Sequence, residues 1–183
     1  TYTVPREINA DLRNYQKEGF AWASSLAELG LGGILADDMG LGKTLQMITL
    51  LHLLKNNSAE VKTNLIVCPA SLLYNWGSEF QKFAPDMKIG LLAGTAAERK
   101  AILDDYKNYD ALVTSYSLLI RDIENYQSKT FDIEIIDEAQ YIKNQATLAS
   151  KAVKSVDSRV RFALTGTPIE NRLSELWSIF EYL

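Results

Sequence analysis

Short apolar runs alternate with longer amphipathic segments along most of the chain. The apolar runs predict six strands, at 33–36, 65–68, 89–92, 111–114, 133–136 and 161–164. Apolar residues at helical spacing predict helices at 44–55, 72–83, 96–106, 117–126, 147–155 and 173–182. Several of the strands are apolar throughout, as strands covered on both faces are. This alternation predicts an α/β fold, a mostly parallel sheet with helices on both faces, whose ligands bind at the carboxyl ends of the strands.

The composition is that of an ordinary globular protein. Of the 183 residues, 47% are hydrophobic and 23% are charged, and nothing marks an internal boundary, so we predict a single domain over residues 1–183. One cysteine, Cys68, and one histidine, His52, exclude a disulfide framework, a multi-cysteine zinc ribbon and a histidine-rich metal site. No apolar run reaches the roughly 18 residues that a membrane span needs. We therefore expect an intracellular fragment of a longer protein, with no membrane partner.

The charge of the chain limits how it can contact nucleic acid. A net charge of −4 and a pI near 5.1 argue against binding through a broad basic face, so any such contact must be local. The nearest approach to a basic cluster, interpreted as a solvated surface, consists of Lys151, Lys154, Arg159 and Arg161.

A glycine-rich turn joins the first predicted strand to the helix that follows it. Residues 37–44 have the sequence DDMGLGKT, in which the glycines let backbone N–H groups approach a phosphate and the helix N-terminus adds positive potential. Lys43 would reach the β- and γ-phosphates of a nucleotide, and the Thr44 hydroxyl would bind Mg²⁺. Asp37 stands where the usual eight-residue pattern has glycine. The alternative is a glycine-rich turn whose threonine caps a helix.

Two acidic residues, Asp137 and Glu138, directly follow the fifth apolar strand. Carboxylates beside a core are costly unless something compensates them, and a bound Mg²⁺ would do so. Asp137 would hold the metal, and Glu138 would orient or deprotonate the attacking water, as phosphoryl transfer requires. The alternative is an aspartate that caps a helix, with a glutamate in its first turn.

Six segments in this order resemble the first RecA-like lobe of a Swi/Snf-type ATPase, a branch of helicase superfamily two. They lie at 12–22, 37–44, 66–76, 114–116, 137–140 and 164–168. The resemblance extends from about Leu12 to Leu183, and aspartate is usual in that family at the position of Asp37. DEAD-box RNA helicases differ at several of these motifs. The resemblance implies a RecA-like P-loop NTPase fold.

The resemblance also implies ATP and Mg²⁺ as ligands. Gln16 would recognise adenine, although a lone glutamine on a helix is otherwise best interpreted as an exposed surface residue. The nucleotide would be bound by Gln16, Asp38, Met39, Gly40, Leu41, Gly42, Lys43 and Thr44, and the metal by Thr44 and Asp137. The catalytic group would consist of Lys43, Asp137, Glu138 and Gln140, the last of which replaces a histidine often found in the family.

Two segments that follow strands would contact DNA in this family. They are Pro69, Ala70 and Ser71, and Thr114, Ser115 and Tyr116. Ser71 is a good N-cap, and a helix terminus can hold a DNA phosphate through backbone N–H groups with little net charge. The alternatives are a capped helix without a ligand and hydroxyl groups that only satisfy turn backbone.

A third segment, Thr165, Gly166 and Thr167, resembles the motif that couples the γ-phosphate site to the nucleic-acid track. The alternative is a simple Thr-Gly turn closed by Pro168. Three tryptophans, Trp22, Trp76 and Trp177, lie at amphipathic helical positions, where core packing is expected in preference to base stacking.

The function implied is that of an ATP-driven translocase on double-stranded DNA that remodels protein–DNA complexes. ATP would bind between this lobe and a second RecA-like lobe of the same parent chain, so the isolated lobe should be nearly inactive. A DNA-bound protein complex is a further expected partner. The absence of insertions between motifs favours a bacterial cytoplasmic or nucleoid location over a eukaryotic nucleus. The alternatives are a translocase that acts on RNA or in a restriction complex, and a nucleotide-dependent interaction module.

Overall fold

The six predicted strands form one parallel sheet in the computed structural model, which describes residues 2–36, 42–58, 60, 62–144, 146–166, 179 and 181–183. The strands are β1 (Gly33–Ala36), β2 (Asn64–Cys68), β3 (Ile89–Leu91), β4 (Ala111–Ser115), β5 (Thr130–Ile136) and β6 (Asp157–Thr165). Their order across the sheet is β1-β6-β5-β2-β4-β3, and every neighbouring pair is parallel. The sheet is therefore parallel throughout the described residues.

In the part of the chain that the structure describes, six α-helices connect or precede these strands. They are α1 (Asn14–Glu28), α2 (Lys43–Asn57), α3 (Leu73–Phe83), α4 (Ala96–Asp104), α5 (Tyr116–Arg121) and α6 (Leu148–Ser155). Short 3₁₀ turns cover Ala70–Leu72, Tyr106–Asn108, Ile123–Tyr126 and Ala139–Ile142. Thr95 and Thr147 cap α4 and α6, because the side chain of each accepts a hydrogen bond from the backbone N–H three residues later.

The helices cover both faces of the sheet, and each layer has its own apolar core. One core joins α1, α2 and α3 to the sheet and includes Phe20, Met47 and Trp76. The other joins α4, α5 and α6 to the opposite face and includes Leu103 and Leu119. Apolar strands such as β2, all of whose residues are buried, follow from this double coverage.

The register of the sheet brings the carboxyl ends of its strands to one edge. Ala36 is level with Thr165, and Cys68 is level with Ser115. Val67 pairs with Ile136, which directly precedes Asp137. Side chains that follow the strands therefore meet along this carboxyl edge, where a doubly wound fold binds its ligands.

The six predicted strands and the five helices predicted between residues 44 and 155 are confirmed in order, with corrections at their ends. The predicted helix 96–106 ends at Asp104, and 117–126 is split into α5 and a 3₁₀ turn. Helix α1 precedes β1 and lies outside the predicted alternation of strands and helices. For the predicted helix 173–182, only residues 179 and 181–182 lie among those described, and they are helical.

Three side chains test the burial or exposure that the sequence pattern predicts. Trp76 is fully buried, as predicted, whereas the core position predicted for Trp22 is wrong, because 45% of its surface is exposed. Arg161 is not part of a solvated face, since its guanidinium donates to Glu134 and to three backbone carbonyls. Trp177 lies outside the described residues.

Candidate active site

Gly42 occupies the N-cap position of α2. Gly42 has φ 92° and ψ 0°, a left-handed conformation that glycine adopts without steric cost. A Cβ at this position would lie 1.9 Å from Nε2 of Gln16. The side chain of Gln16 is therefore packed against Gly42, and it is buried, so it is not the exposed surface residue of the alternative interpretation.

Gln16 also makes a capping hydrogen bond at the start of α1. Its Oε1 accepts a hydrogen bond of 2.8 Å from the backbone N–H of Arg13. This bond fixes the side chain beside Gly42, and recognition of adenine by Gln16 stays a prediction. Asp37 and four predicted nucleotide-binding residues, Asp38, Met39, Gly40 and Leu41, lie outside the described residues.

Lys43 is the first residue of α2, and its side chain points into the carboxyl edge. Only 6% of the residue is exposed, and Nζ donates a hydrogen bond of 2.7 Å to the carbonyl oxygen of Thr165. Thr44 follows in the first turn of the helix and is partly exposed. A buried ammonium at a helix N-terminus provides concentrated positive charge for a phosphate.

Asp137 directly follows β5 and is held by neighbouring groups on several sides. Its Oδ1 accepts from the backbone N–H of Glu138 at 2.9 Å, and its Oδ2 accepts from the indole N–H of Trp76, also at 2.9 Å. Burial raises the pKa of Asp137, and the bond from Trp76 opposes that rise. These bonds fix the orientation of the carboxylate.

The backbone of Glu138 adopts a left-handed conformation, which is rare for a residue other than glycine. With φ 52° and ψ 56° it is the only non-glycine residue with a positive φ among those described. The amide of Gln140 donates to Oε2 of Glu138. Strained backbone of this kind is concentrated at functional sites.

Gln140 and Thr165 extend the contacts of Glu138 to β6. The hydroxyl of Thr165 donates to Oε1 of Gln140 at 3.4 Å, while the carbonyl of Thr165 accepts from Lys43. A Cβ on Gly166 would lie 3.5 Å from Nζ of Lys43 and 3.6 Å from Oε1 of Glu138. The structure thus brings together Lys43, Glu138 and the described part of the predicted coupling segment. Thr167 and Pro168 lie outside the described residues.

The segment after β2 is exposed but is not capped as predicted. Ala70 and Ser71 are exposed and Pro69 is buried. The prediction that Ser71 is an N-cap is wrong, because Ser71 lies inside a 3₁₀ turn and α3 begins after Leu72 with no side-chain cap. The 3₁₀ turn places Ser71 one residue before the N-cap position, which Leu72 occupies.

The segment after β4 is buried. Thr114, Ser115 and Tyr116 are at most 4% exposed. The Ser115 hydroxyl accepts a hydrogen bond from the backbone N–H of Leu118 and so caps α5. This agrees with the alternative interpretation, in which the hydroxyl groups of this segment satisfy the backbone. The Tyr116 hydroxyl donates to the backbone carbonyl of Asp137 at 2.7 Å. A role for these three residues in DNA binding stays a prediction.

The donor set at the carboxyl edge suits Mg²⁺ and a nucleotide phosphate. The Thr44 hydroxyl and the Asp137 carboxylate are hard oxygen ligands of the type that Mg²⁺ prefers, and Lys43 supplies a cation for phosphate oxygens. Two cavities of about 420 and 500 Å³ lie instead at the amino edge of the sheet, beside Thr63, Asn64, Asp110 and Asp132. They are remote from this donor set.

Sequence reasoning missed the polar role of Trp76, which it assigned to the core. A buried indole N–H needs an acceptor, and this general requirement was the available signal. The sequence does not reveal the acceptor, because Asp137 lies 61 residues further along the chain. Likewise, the sequence predicts DNA binding for Tyr116, and its bond to Asp137 is visible only in the fold.

Comparison with known proteins assigns the chain to a family. The profile of the SNF2-related domain matches residues 15–183. The chain belongs to the SNF2-related domain family. This SNF2-related domain superposes with a TM-score of 0.88 on a Sulfolobus solfataricus SWI2/SNF2 ATPase core in complex with double-stranded DNA, at 41% identity, over 100% of this chain and 38% of that one. The predicted Swi/Snf resemblance and RecA-like α/β fold are thereby confirmed.

Curated relatives of the SNF2-related domain are much longer proteins. An uncharacterized ATP-dependent helicase of Mycoplasma genitalium is 46% identical over 177 residues, which are 97% of this chain and 17% of the relative. The chromatin-remodeling ATPase INO80 of Sclerotinia sclerotiorum is 39% identical over 189 residues, 98% of this chain and 11% of the relative. In the described part of the chain, no helix has both the length and the apolar character needed to cross a membrane.

Proposed function

We propose that this SNF2-related domain is the ATP-binding lobe of an ATPase that is stimulated by double-stranded DNA, translocates along it and remodels protein–DNA complexes. One observation carries the proposal: a buried lysine, an acidic residue after β5 and the segment after β6 converge at the carboxyl edge. Lys43 contacts Thr165, and Gly166 lies close to both Lys43 and Glu138. Phosphoryl transfer requires a cation for the phosphates, a metal ligand and a group that positions water.

The described residues supply these parts in the following way. Lys43 binds the β- and γ-phosphates, while Gln16 contacts the adenine from its place beside Gly42. Thr44 and Asp137 hold Mg²⁺, which when bound neutralises charge on the phosphate oxygens. Glu138 orients the attacking water and accepts its proton, and the amide of Gln140 orients the Glu138 carboxylate. Thr165 and Gly166 couple these catalytic residues to the part of the domain that contacts the DNA.

DNA contacts the exposed segment after β2. Backbone N–H groups at Ala70 and Ser71 bind a phosphate without a broad basic surface, which agrees with the net charge of −4. The double-stranded DNA in the S. solfataricus complex supports duplex DNA as the polymer. A second RecA-like lobe of the parent chain completes the ATP site, and closure of the two lobes shifts DNA contacts. Bacterial and fungal relatives support work inside the cell.

ATP hydrolysis by the complete protein that contains this chain tests the proposal. It is measured without polymer and with duplex DNA, single-stranded DNA or RNA, beside a Glu138→Gln variant. We expect the largest stimulation from duplex DNA and a loss of about 10²-fold or more in the variant, since removing a general base has effects of that size. Stimulation by RNA alone would indicate an RNA-directed translocase. No stimulation by any polymer would favour a nucleotide-dependent interaction module, and either result would overturn the proposal.

A further inference from the structure

Two aromatic side chains from other elements of the fold donate hydrogen bonds to Asp137, which directly follows β5. The indole N–H of Trp76 donates to Oδ2 of the carboxylate at 2.9 Å, and the hydroxyl of Tyr116 donates to the backbone carbonyl of Asp137 at 2.7 Å. Oδ1 is occupied by the backbone N–H of Glu138. Both carboxylate oxygens and the carbonyl oxygen of this residue therefore accept hydrogen bonds.

The two aromatic donors approach Asp137 from opposite faces of the sheet. Trp76 belongs to the core under α1, α2 and α3, and Tyr116 belongs to the core under α4, α5 and α6. Trp76 is fully buried and Tyr116 is 4% exposed, so neither ring can leave its position without repacking its layer. Asp137 is thus clamped between the two helical layers.

Each donor also lies in, or shortly after, one of the two segments predicted to contact DNA. Trp76 lies in the first turn of α3, directly after the 3₁₀ turn Ala70–Leu72. Tyr116 is the first residue of α5, directly after Ser115. A displacement of either segment moves the start of its helix, and hence the donor, relative to β5. The path to Asp137 is one helical turn and one hydrogen bond from the first segment, and a single hydrogen bond from the second, to which Tyr116 itself belongs.

Satisfaction of buried polar groups alone does not account for this arrangement. A buried indole or phenol needs one acceptor, but nothing requires that both donors choose the same residue. Groups that hold a metal ligand in place characteristically act on metal affinity and activity through that ligand. We propose that Trp76 and Tyr116 are positioning residues that orient Asp137 for metal binding, and that Trp76 transmits DNA contact at the exposed segment after β2 to the nucleotide site. This inference rests on the proposed function, which supplies duplex DNA and Mg²⁺-ATP as the ligands.

Removal of each donor has an expected effect on the metal. Trp76→Phe removes the bond to the carboxylate, so the Mg²⁺ concentration that gives half-maximal binding of a fluorescent ATP analogue should rise by about tenfold, the lower range for such groups. Tyr116→Phe acts on the backbone carbonyl and should have a smaller effect in the same direction. In both variants we expect stimulation of ATP hydrolysis by duplex DNA to fall by more than the affinity for DNA.

Matched variants separate positioning from packing. Tyr126→Phe also removes one buried hydroxyl from the core that contains Tyr116, but Tyr126 does not contact Asp137 through that hydroxyl. Phe80→Leu disturbs the ring beside Trp76, whose centroid is 6.0 Å away, and leaves the indole bond in place. Phe80→Leu should lower thermal stability, and neither control should change the Mg²⁺ requirement. If Trp76→Phe does not fold, Tyr116→Phe carries the test.

A spectroscopic readout tests the transmission directly. The complete protein is labelled with 5-fluorotryptophan, and the ¹⁹F signal of Trp76 is identified by its absence in Trp76→Phe, or by its response to Asp137→Asn. Addition of duplex DNA to the nucleotide-free protein should shift this signal, and Asp137→Asn should abolish the shift. No shift, or a Mg²⁺ requirement within twofold of the wild type in both Phe variants, would overturn the inference.

The inference and the proposed function fail in different ways. If duplex DNA does not stimulate the wild-type protein, the proposed function fails and so does the transmission of DNA contact. The positioning of Asp137 is still decided then, because the Mg²⁺ titration of nucleotide binding needs no polymer. If stimulation is normal in the wild type and in both Phe variants, the proposed function stands and the inference is wrong.

Discussion

Glu138 occupies a left-handed backbone conformation that costs a non-glycine residue about 1 kcal/mol or more. Replacement of Glu138 by glycine relieves this cost, and replacement by alanine retains it. We therefore expect Glu138→Gly to unfold at higher urea concentration than Glu138→Ala, by a free-energy difference of about 1 kcal/mol. The sign is opposite to the usual effect of glycine, which destabilises most positions relative to alanine. Urea unfolding of the 183-residue chain measures the difference.

The comparison between these two variants isolates the backbone. Both lack the carboxylate, so both should lose ATP hydrolysis in the complete protein to the same extent. An alanine variant that is as stable as the glycine variant would show that Glu138 is not strained.

Gly42 combines a positive φ with a close neighbour. Gly42→Ala forces a left-handed alanine and places its Cβ 1.9 Å from Nε2 of Gln16. We expect a loss of about 1–3 kcal/mol in the free energy of unfolding and weaker binding of a fluorescent ATP analogue. Urea unfolding and an analogue titration measure the two effects.

Gly30 provides the matched control for Gly42. Its φ is 73°, and a Cβ there would meet nothing within 4 Å, so Gly30→Ala imposes backbone strain without a clash. It should cost about 1 kcal/mol and leave nucleotide binding unchanged. Equal stability losses in the two variants would mean that Gln16 moves away without cost.

At the scale of elements, a buried contact between the Glu134 carboxyl and the Arg161 guanidinium joins strands β5 and β6. Glu134 is fully buried, its carboxylate accepts from Arg161 at 3.0 Å, and its backbone carbonyl accepts from the hydroxyl of Tyr182 at 3.4 Å. Burial raises the pKa of Glu134 from 4.5 to about 8, although Arg161 opposes the rise. The folded chain therefore holds a proton that the unfolded chain releases above about pH 4.5.

This difference in proton binding sets the direction of a pH dependence. Stability contributed by protonated Glu134 is complete below about pH 4.5 and is lost as the pH rises towards about 8. We expect the unfolding free energy of the wild type to fall from pH 5 to pH 8 by over 1 kcal/mol more than that of Glu134→Gln, which has no such proton. Urea unfolding at both pH values decides this, and parallel pH profiles for the two proteins would contradict it.

The sequence predicts elements well where local pattern determines them. Strand β1 was predicted with its observed bounds, because four residues between turn signals leave little choice. The end of α4 at Asp104 and the uncapped start of α3 were not predicted, since they depend on how each helix packs against the sheet. Helix boundaries respond to tertiary contacts that no local pattern records.

The candidate site, too, could be predicted only in part from the sequence. Lys43 and Glu138 were selected because glycine-rich turns and acidic strand ends have recognisable chemistry. Their closeness to Gly166 depends on the strand order, which places β6 between β1 and β5. The bonds of Trp76 and Tyr116 to Asp137 depend on packing in both layers and could not be predicted from spacing.

At the scale of the whole molecule, the described residues of the candidate site all lie on one edge of a single sheet. The S. solfataricus ATPase core that this chain matches is longer, since the chain covers 38% of it. A nucleotide held at this edge by Lys43 and Asp137 would be contacted from one side only. ATPases of related chemistry take an arginine from a partner to stabilise the transition state, which contributes about 10³ to 10⁵ in rate.

The 183-residue chain should therefore bind ATP weakly and hydrolyse it at least about 10³-fold more slowly than the complete protein with duplex DNA. Phosphate release by both proteins, each beside its Glu138→Gln variant, measures the ratio and excludes contaminating ATPases. Binding of the ATP analogue to the chain shows that slow hydrolysis does not result from an unfolded site. Brisk turnover by the chain that Glu138→Gln abolishes would mean that this lobe completes its own active site, and a second lobe would then be needed only for movement along DNA.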